Sequence, residues 1–211
     1  MRILASLLLF GIPAFATGTA KIYFTKSFPN SMPAYAAIEI AKDGSVVYKD
    51  TPDDKAPAQF KIPEADTAQI FALADKLDHF KRPLESNLKV AFMGTKTLRY
   101  EDGTDTGEAK FNYSLDEDAR TLADLFERMI DSQQLFWQLE RDVKFDKLGV
   151  NKSLLQIEVL LDKNRLVGRD RFLPLLDRVA KNETYLHMAR ERAARLADLF
   201  RDNQPQSKPQ Q

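Results

Sequence analysis

Residues 114–143, SLDEDARTLADLFERMIDSQQLFWQLERDV, carry the longest helical pattern in the chain. Leu115, Ala119, Leu122, Phe126, Met129, Phe136, Leu139 and Val143 recur mainly at three- and four-residue steps, which places them on one apolar face. Ser114 followed three residues later by Glu117 has the spacing of a capping box, and Asp116, Glu117 and Asp118 put negative charge where the helix dipole favours it. The chain before this helix is patterned as strands and the chain after it as helices, so the helix is predicted to join two halves.

Working back toward the N-terminus, KIYFTK at 21–26 is a short β-prone run. Ala36, Ile38 and Ile40 alternate with polar or small neighbours, and Lys42-Asp43-Gly44-Ser45 separates them from a second run at 46–50. Asp-Gly between two such runs signals a hairpin. Phe60 and Ile62 alternate with Gln59 and Lys61 in a further short strand. Pro63 then precedes a helix predicted over 64–78, with Ile70, Leu73, Leu77 and Phe80 as its stripe. FKRPLESNLKVAFMG at 80–94 fits neither period and is predicted to be a loop. Runs at 95–101 and 108–113, joined by the polar DGTDTG, make a second hairpin. The order β-β-β-β-α-β-β predicts an antiparallel sheet with a helix packed on one face.

Toward the C-terminus, Leu148-Gly149 is a helix stop. Helices are predicted next at 152–162, at 170–181 with Asp170 as cap, and at 182–201 with Asn182 as cap. The stripe of the last is Tyr185, Ala189, Ala193, Leu196 and Phe200. The fold class is therefore α+β: an antiparallel sheet with a packed helix, then an all-helical C-terminal half of about four helices. The division expected is a β-rich unit at 17–114 and a helical region at 115–202. Residues 203–211 have no apolar side chain to offset the entropy of ordering, which predicts a disordered tail.

The first residues give an address. Met1-Arg2 is a short positive start, 3–15 is an almost unbroken apolar run, and Ala14-Phe15-Ala16 is a small-x-small cleavage site, with a second possible cut after Ala20. This predicts a signal peptide at 1–16. An apolar run of about 13 residues is too short for a hydrocarbon core that needs ~20, so no membrane span is expected after cleavage. The chain has no cysteine, which excludes disulfides, thiolate metal sites, a cysteine nucleophile and a lipidated cysteine. A protein of 211 residues exported without disulfides suits a bacterial periplasmic or secreted address.

Charge balances at 31 basic and 31 acidic side chains, so no global field draws the protein to nucleic acid. Locally, 101–142 holds twelve acidic and four basic residues, whereas 163–201 holds five acidic and ten basic. Such blocks either face each other within the fold or meet a charged partner.

No catalytic constellation emerges. His187 and Glu191 form an i, i+4 pair, but two ligands make no metal site and no HExxH completes them. His79 stands near a helix end. EDGTDTGE lacks calcium-loop spacing, and GxSxG, P-loop and GxGxxG patterns are absent. The adjacent carboxylates Asp53-Asp54 and Glu101-Asp102 point to opposite faces if extended, the wrong geometry for shared acid–base work. The Asn112, Asn151 and Asn182 N-x-[ST] triplets fall at helix starts, where Asn and Ser act as caps. Neither a cofactor nor a metal is expected. The candidate binding residues are Trp137 and Phe145, as an apolar patch, together with His187 and Arg190.

The layout IxIAKDGSVVYKD at 38–50, a helix, then TxxxxYEDGxxxxxxxFNYS at 95–114 leading into a helix resembles small domains of uncharacterised bacterial exported proteins. The resemblance spans 34–131 and implies export and a hairpin–helix–hairpin architecture, with no catalytic residue. The function expected is a non-enzymatic binding or structural module of the bacterial envelope with a protein partner. A hydrolase-type enzyme without a recognisable motif is the alternative.

Overall fold

Along β1 (Lys21–Ser27), Ile22 and Phe24 are buried while Lys21, Tyr23 and Thr25 remain partly open, so the two-residue period sorts the strand into an inner and an outer face. A computed structural model describes residues 20–202; the signal peptide expected at 1–16 and the tail expected at 203–211 lie outside the described residues. The strands β2 (Tyr35–Ala41), β3 (Ser45–Lys49), β4 (Ala58–Lys61), β5 (Thr95–Asp102) and β6 (Asp105–Phe111) complete one sheet in the order β4-β3-β2-β1-β5-β6, every pair antiparallel. Ile22 faces Ile40 and Tyr100 across the ladder, and Phe24 faces Ile38 and Leu98. The inner face is thus one continuous apolar layer.

That layer is covered by α1 (Glu64–Lys76) and the first half of α2 (Glu117–Phe145), which contribute Ile70, Ala74, Leu122, Phe126 and Met129. The Phe24 and Phe126 rings stack with centroids 4.8 Å apart. From Leu135 onward α2 belongs to a second core, built with α3 (Val150–Asp162), α4 (Leu173–Lys181) and α5 (His187–Asp202). The helix therefore serves both cores in turn. Trp137 and Phe136, adjacent and so on different helical faces, divide between them: Trp137 meets Tyr48 of the sheet edge-on at 5.3 Å, and Phe136 meets Phe172 at 5.4 Å.

Local details differ from the sequence pattern. Asp116, not Ser114, caps α2; its Oδ1 accepts from Ala119 N at 3.1 Å, while Ser114 Oγ accepts from Asp116 N. Arg82 Nη2 donates to the other Asp116 oxygen at 2.5 Å, a contact across sequence that the local pattern does not contain. A 3-10 turn, Arg169–Phe172, leads into α4, and Asn182 closes a turn by accepting from Thr184 N, so that α5 starts only at His187. The β5–β6 turn is tighter than expected, because Asp102 pairs with Asp105.

Helix α1 stops short as well. Asp78, His79 and Phe80 come after it with φ of 52°, 50° and 65°, a left-handed run of three non-glycine residues. The turn buries Phe80 completely and brings the His79 carbonyl against Gly107, where an added Cβ would lie 2.1 Å from it. The imidazole of His79 is clasped by Asp105 Oδ2 at 2.7 Å and Asp75 Oδ1 at 2.8 Å, and it stacks on Tyr100.

Candidate functional site: a groove along α2

Segment 84–94 has no regular structure yet is fastened at many points. Glu85 Oε2 accepts from Asn112 N at 2.6 Å, and Ser86 N donates to Tyr113 O at 2.8 Å. The Asn112 amide accepts from Met93 N at 2.7 Å and donates to Ala91 O at 3.0 Å. The amide hydrogens that reach Glu85, that of Asn112 foremost, hold its carboxyl below the usual carboxylate range. The segment is thereby pinned beside the end of β6, but Leu88, Val90, Phe92 and Met93 all face solvent. Phe92 makes an edge contact with Phe28 at 5.8 Å, at the start of the β1–β2 loop that carries Met32, which is 95% exposed.

Two cavities lie between these loops and α2. One, of about 380 Å³, is lined by Val90, Met93, Phe111 and Ala123 together with Lys96. The other, of about 490 Å³, is lined by Met32, Pro33, Ile130 and Leu160 with the amides of Gln134, Gln138 and Gln156. Lys26 and Glu127 line both and meet at 2.9 Å, so the ion pair forms the waist of one groove. Lys96 is nearly buried beside it; its Nζ donates to Asn112 O at 3.1 Å, and burial pushes its pKa down against the pull of Glu127. Gln156 Oε1 is a buried acceptor with no hydrogen-bond partner among the described residues. Flexible methionines and a fixed apolar segment suit an apolar guest, and the Gln156 acceptor suits a backbone N–H of a polypeptide.

The residues singled out from sequence do not assemble. Trp137 is partly buried and packed on Tyr48, against the sheet core. Phe145 is 76% exposed at the end of α2 beneath Lys144, and His187 is exposed with Glu191 at 3.1 Å. Arg190 is half-buried on α5, its Nε without a hydrogen-bond partner among the described residues. No hydrogen bond, ion pair or ring contact among the described residues joins any two of the four. Among the described residues, no cluster of three or more His, Asp or Glu is arranged to hold a metal ion. What sequence reading passed over was LKVAFM at 88–93, where four of six residues are large and apolar inside a stretch of no period. That mismatch was its signal.

The charge blocks meet in part within the fold. Arg165 donates to Asp124 at 2.7 Å and to Asp131 at 3.0 Å on α2, while Arg192 and Arg195 of the basic block are taken up by Glu158, which lies outside the acidic one. The sheet and helices define an α+β protein in which a helix-backed antiparallel sheet continues into a helical half. No known family model matches the chain, and none of the characterised proteins compared with it matches. No helix among the described residues is long and apolar enough to cross a membrane.

Proposed function

We propose that the chain is a non-enzymatic binding module of the bacterial envelope or extracellular space that takes an apolar stretch of a partner polypeptide into the α2 groove. The observation that carries this is the exposure of Val90, Met93 and Met32 around one groove, with the exposed Phe92 next to Met93 on the same segment, on loops held in place by hydrogen bonds. Scattered apolar residues need no partner, but a ring of them about a groove on a fastened frame does. The signal-like residues 1–16 and the absence of cysteine support the address.

Photo-crosslinking from position 92 in cells tests the reading. A single polypeptide captured there, and lost when Met32 and Met93 are both changed to Ser, is the expected result. A crosslink that survives those changes, or none at all, overturns it. An alkaline-phosphatase fusion to residues 1–20 tests the address separately, with activity expected only if the fusion is exported.

A further inference from the structure

A third cavity opens on a different face of α2, at the seam between the two cores. It encloses about 570 Å³ between the start of α1 and the 164–171 turn, and its apolar floor includes Ile70, Met129, Leu166 and Phe200. Arg128 in its wall is committed to Asp124 at 2.5 Å, and Arg171 donates to Gln133 Oε1 at 2.6 Å while lying between the Phe60 and Phe136 rings. Lys61 pairs with Asp43. Arg169 is different. It is half-buried and has no hydrogen bond or ion pair among the described residues.

The same holds for Asp66 on the α1 side, half-buried and without a partner among the described residues. Burial raises its carboxyl pKa against the opposing fields of Arg169 and Arg128, so the three groups face one cleft without Asp66 touching either arginine. The other acids of the lining, Glu64 and Asp170, are exposed at the rim, where water serves them. Two opposite charges that are partly desolvated and do not pair with each other leave an interaction unmade on each side.

We propose that this cleft binds a small zwitterion of the α-amino acid type with an apolar side chain. Its ammonium is held by Asp66, its carboxylate takes the planar fork of Arg169, and its side chain lies on the floor of Ile70 and Met129. A volume of about 570 Å³ is within the range of small-molecule sites. The cleft shares no lining residue with the α2 groove, so the two proposals stand or fall separately.

Calorimetric titration of the intact protein with L-leucine, L-leucine methyl ester and N-acetyl-L-leucine tests this. The zwitterion is expected to bind, and each blocked form, which lacks one charge, to bind about tenfold or more weakly. Asp66→Asn is expected to abolish the preference over the N-acetyl form, and Arg169→Gln the preference over the ester. Met32 and Met93 substitutions leave all of these unchanged. No heat with L-leucine, L-phenylalanine or Leu-Leu, or equal binding of the blocked forms, overturns the proposal. If either variant fails to fold by circular dichroism, the three-ligand comparison on the unaltered protein decides alone.

Discussion

Tyr48 sits in β3 with its ring fully buried, and its hydroxyl accepts from Gln134 Nε2 of α2 at 2.9 Å. Burial, only partly opposed by that hydrogen bond, pushes the phenol up to about 12. Below pH ~10 the phenol is protonated whether the chain is folded or not, so its contribution is fully present. Between about 10 and 12 only the unfolded chain ionises, and stability falls as pH rises, by about 2 to 3 kcal/mol in all. Urea unfolding across this range should show that decline in the parent and a shallower one in Tyr48→Phe. Gly107 has no room for a side chain. A Cβ there meets the His79 carbonyl at 2.1 Å, and the left-handed turn at 78–80 has little freedom to move. Gly107→Ala is expected to cost about 2 kcal/mol or more and to lower Tm by roughly 4 to 8 °C in thermal unfolding.

At the scale of the element, α2 depends on one capping side chain. Asp116 accepts from Ala119 N and from Arg82, whose side chain, more than any other group, holds the Asp116 carboxyl below its usual range. Asp116→Ala should cost about 1 kcal/mol, a fall in Tm of roughly 2 to 4 °C for a chain of this size, and Asp116→Asn distinctly less. The 91–93 end of the pinned segment depends in the same way on one side chain, because the Asn112 amide holds both Ala91 O and Met93 N. Asn112→Ala is expected to speed hydrogen exchange at Met93 while leaving Tm within about 2 °C, since exposed apolar residues contribute little to folding. Crosslinking from position 92 should fall with it.

At the scale of the whole molecule, one helix lines two cores in succession. Ala119, Leu122, Phe126 and Met129 face the sheet, whereas Leu135, Leu139 and Val143 face α3–α5. A chain cut after Phe145 keeps the first core but exposes the second stripe. It should bind 8-anilinonaphthalene-1-sulfonate and melt well below the parent; a fragment that binds no dye and melts with the parent would show that the cores are independent.

Much of this architecture was legible locally. The Asp43-Gly44 turn marked one hairpin, and the alternation of Ile38 with Glu39 and the three- to four-residue stripe of α2 are periodic signals that decide which side of a strand or helix meets the core. Helix ends were less legible. Asp116 caps α2 through Ala119 N while its other oxygen takes Arg82 from outside the local pattern, and α1 stopped where the chain turns and buries Phe80. The candidate sites were not legible at all. Lys26 and Glu127 lie 101 positions apart, and the cleft between Asp66 and Arg169 exists because the 164–171 turn folds back over the start of α1. Short-range sterics and the burial of apolar side chains are written into the chain locally, and they were enough to specify the main elements, their buried faces and the α+β class. Which charges are left unpaired and which apolar side chains are left uncovered emerges only on folding, because both depend on what distant parts of the chain bring alongside.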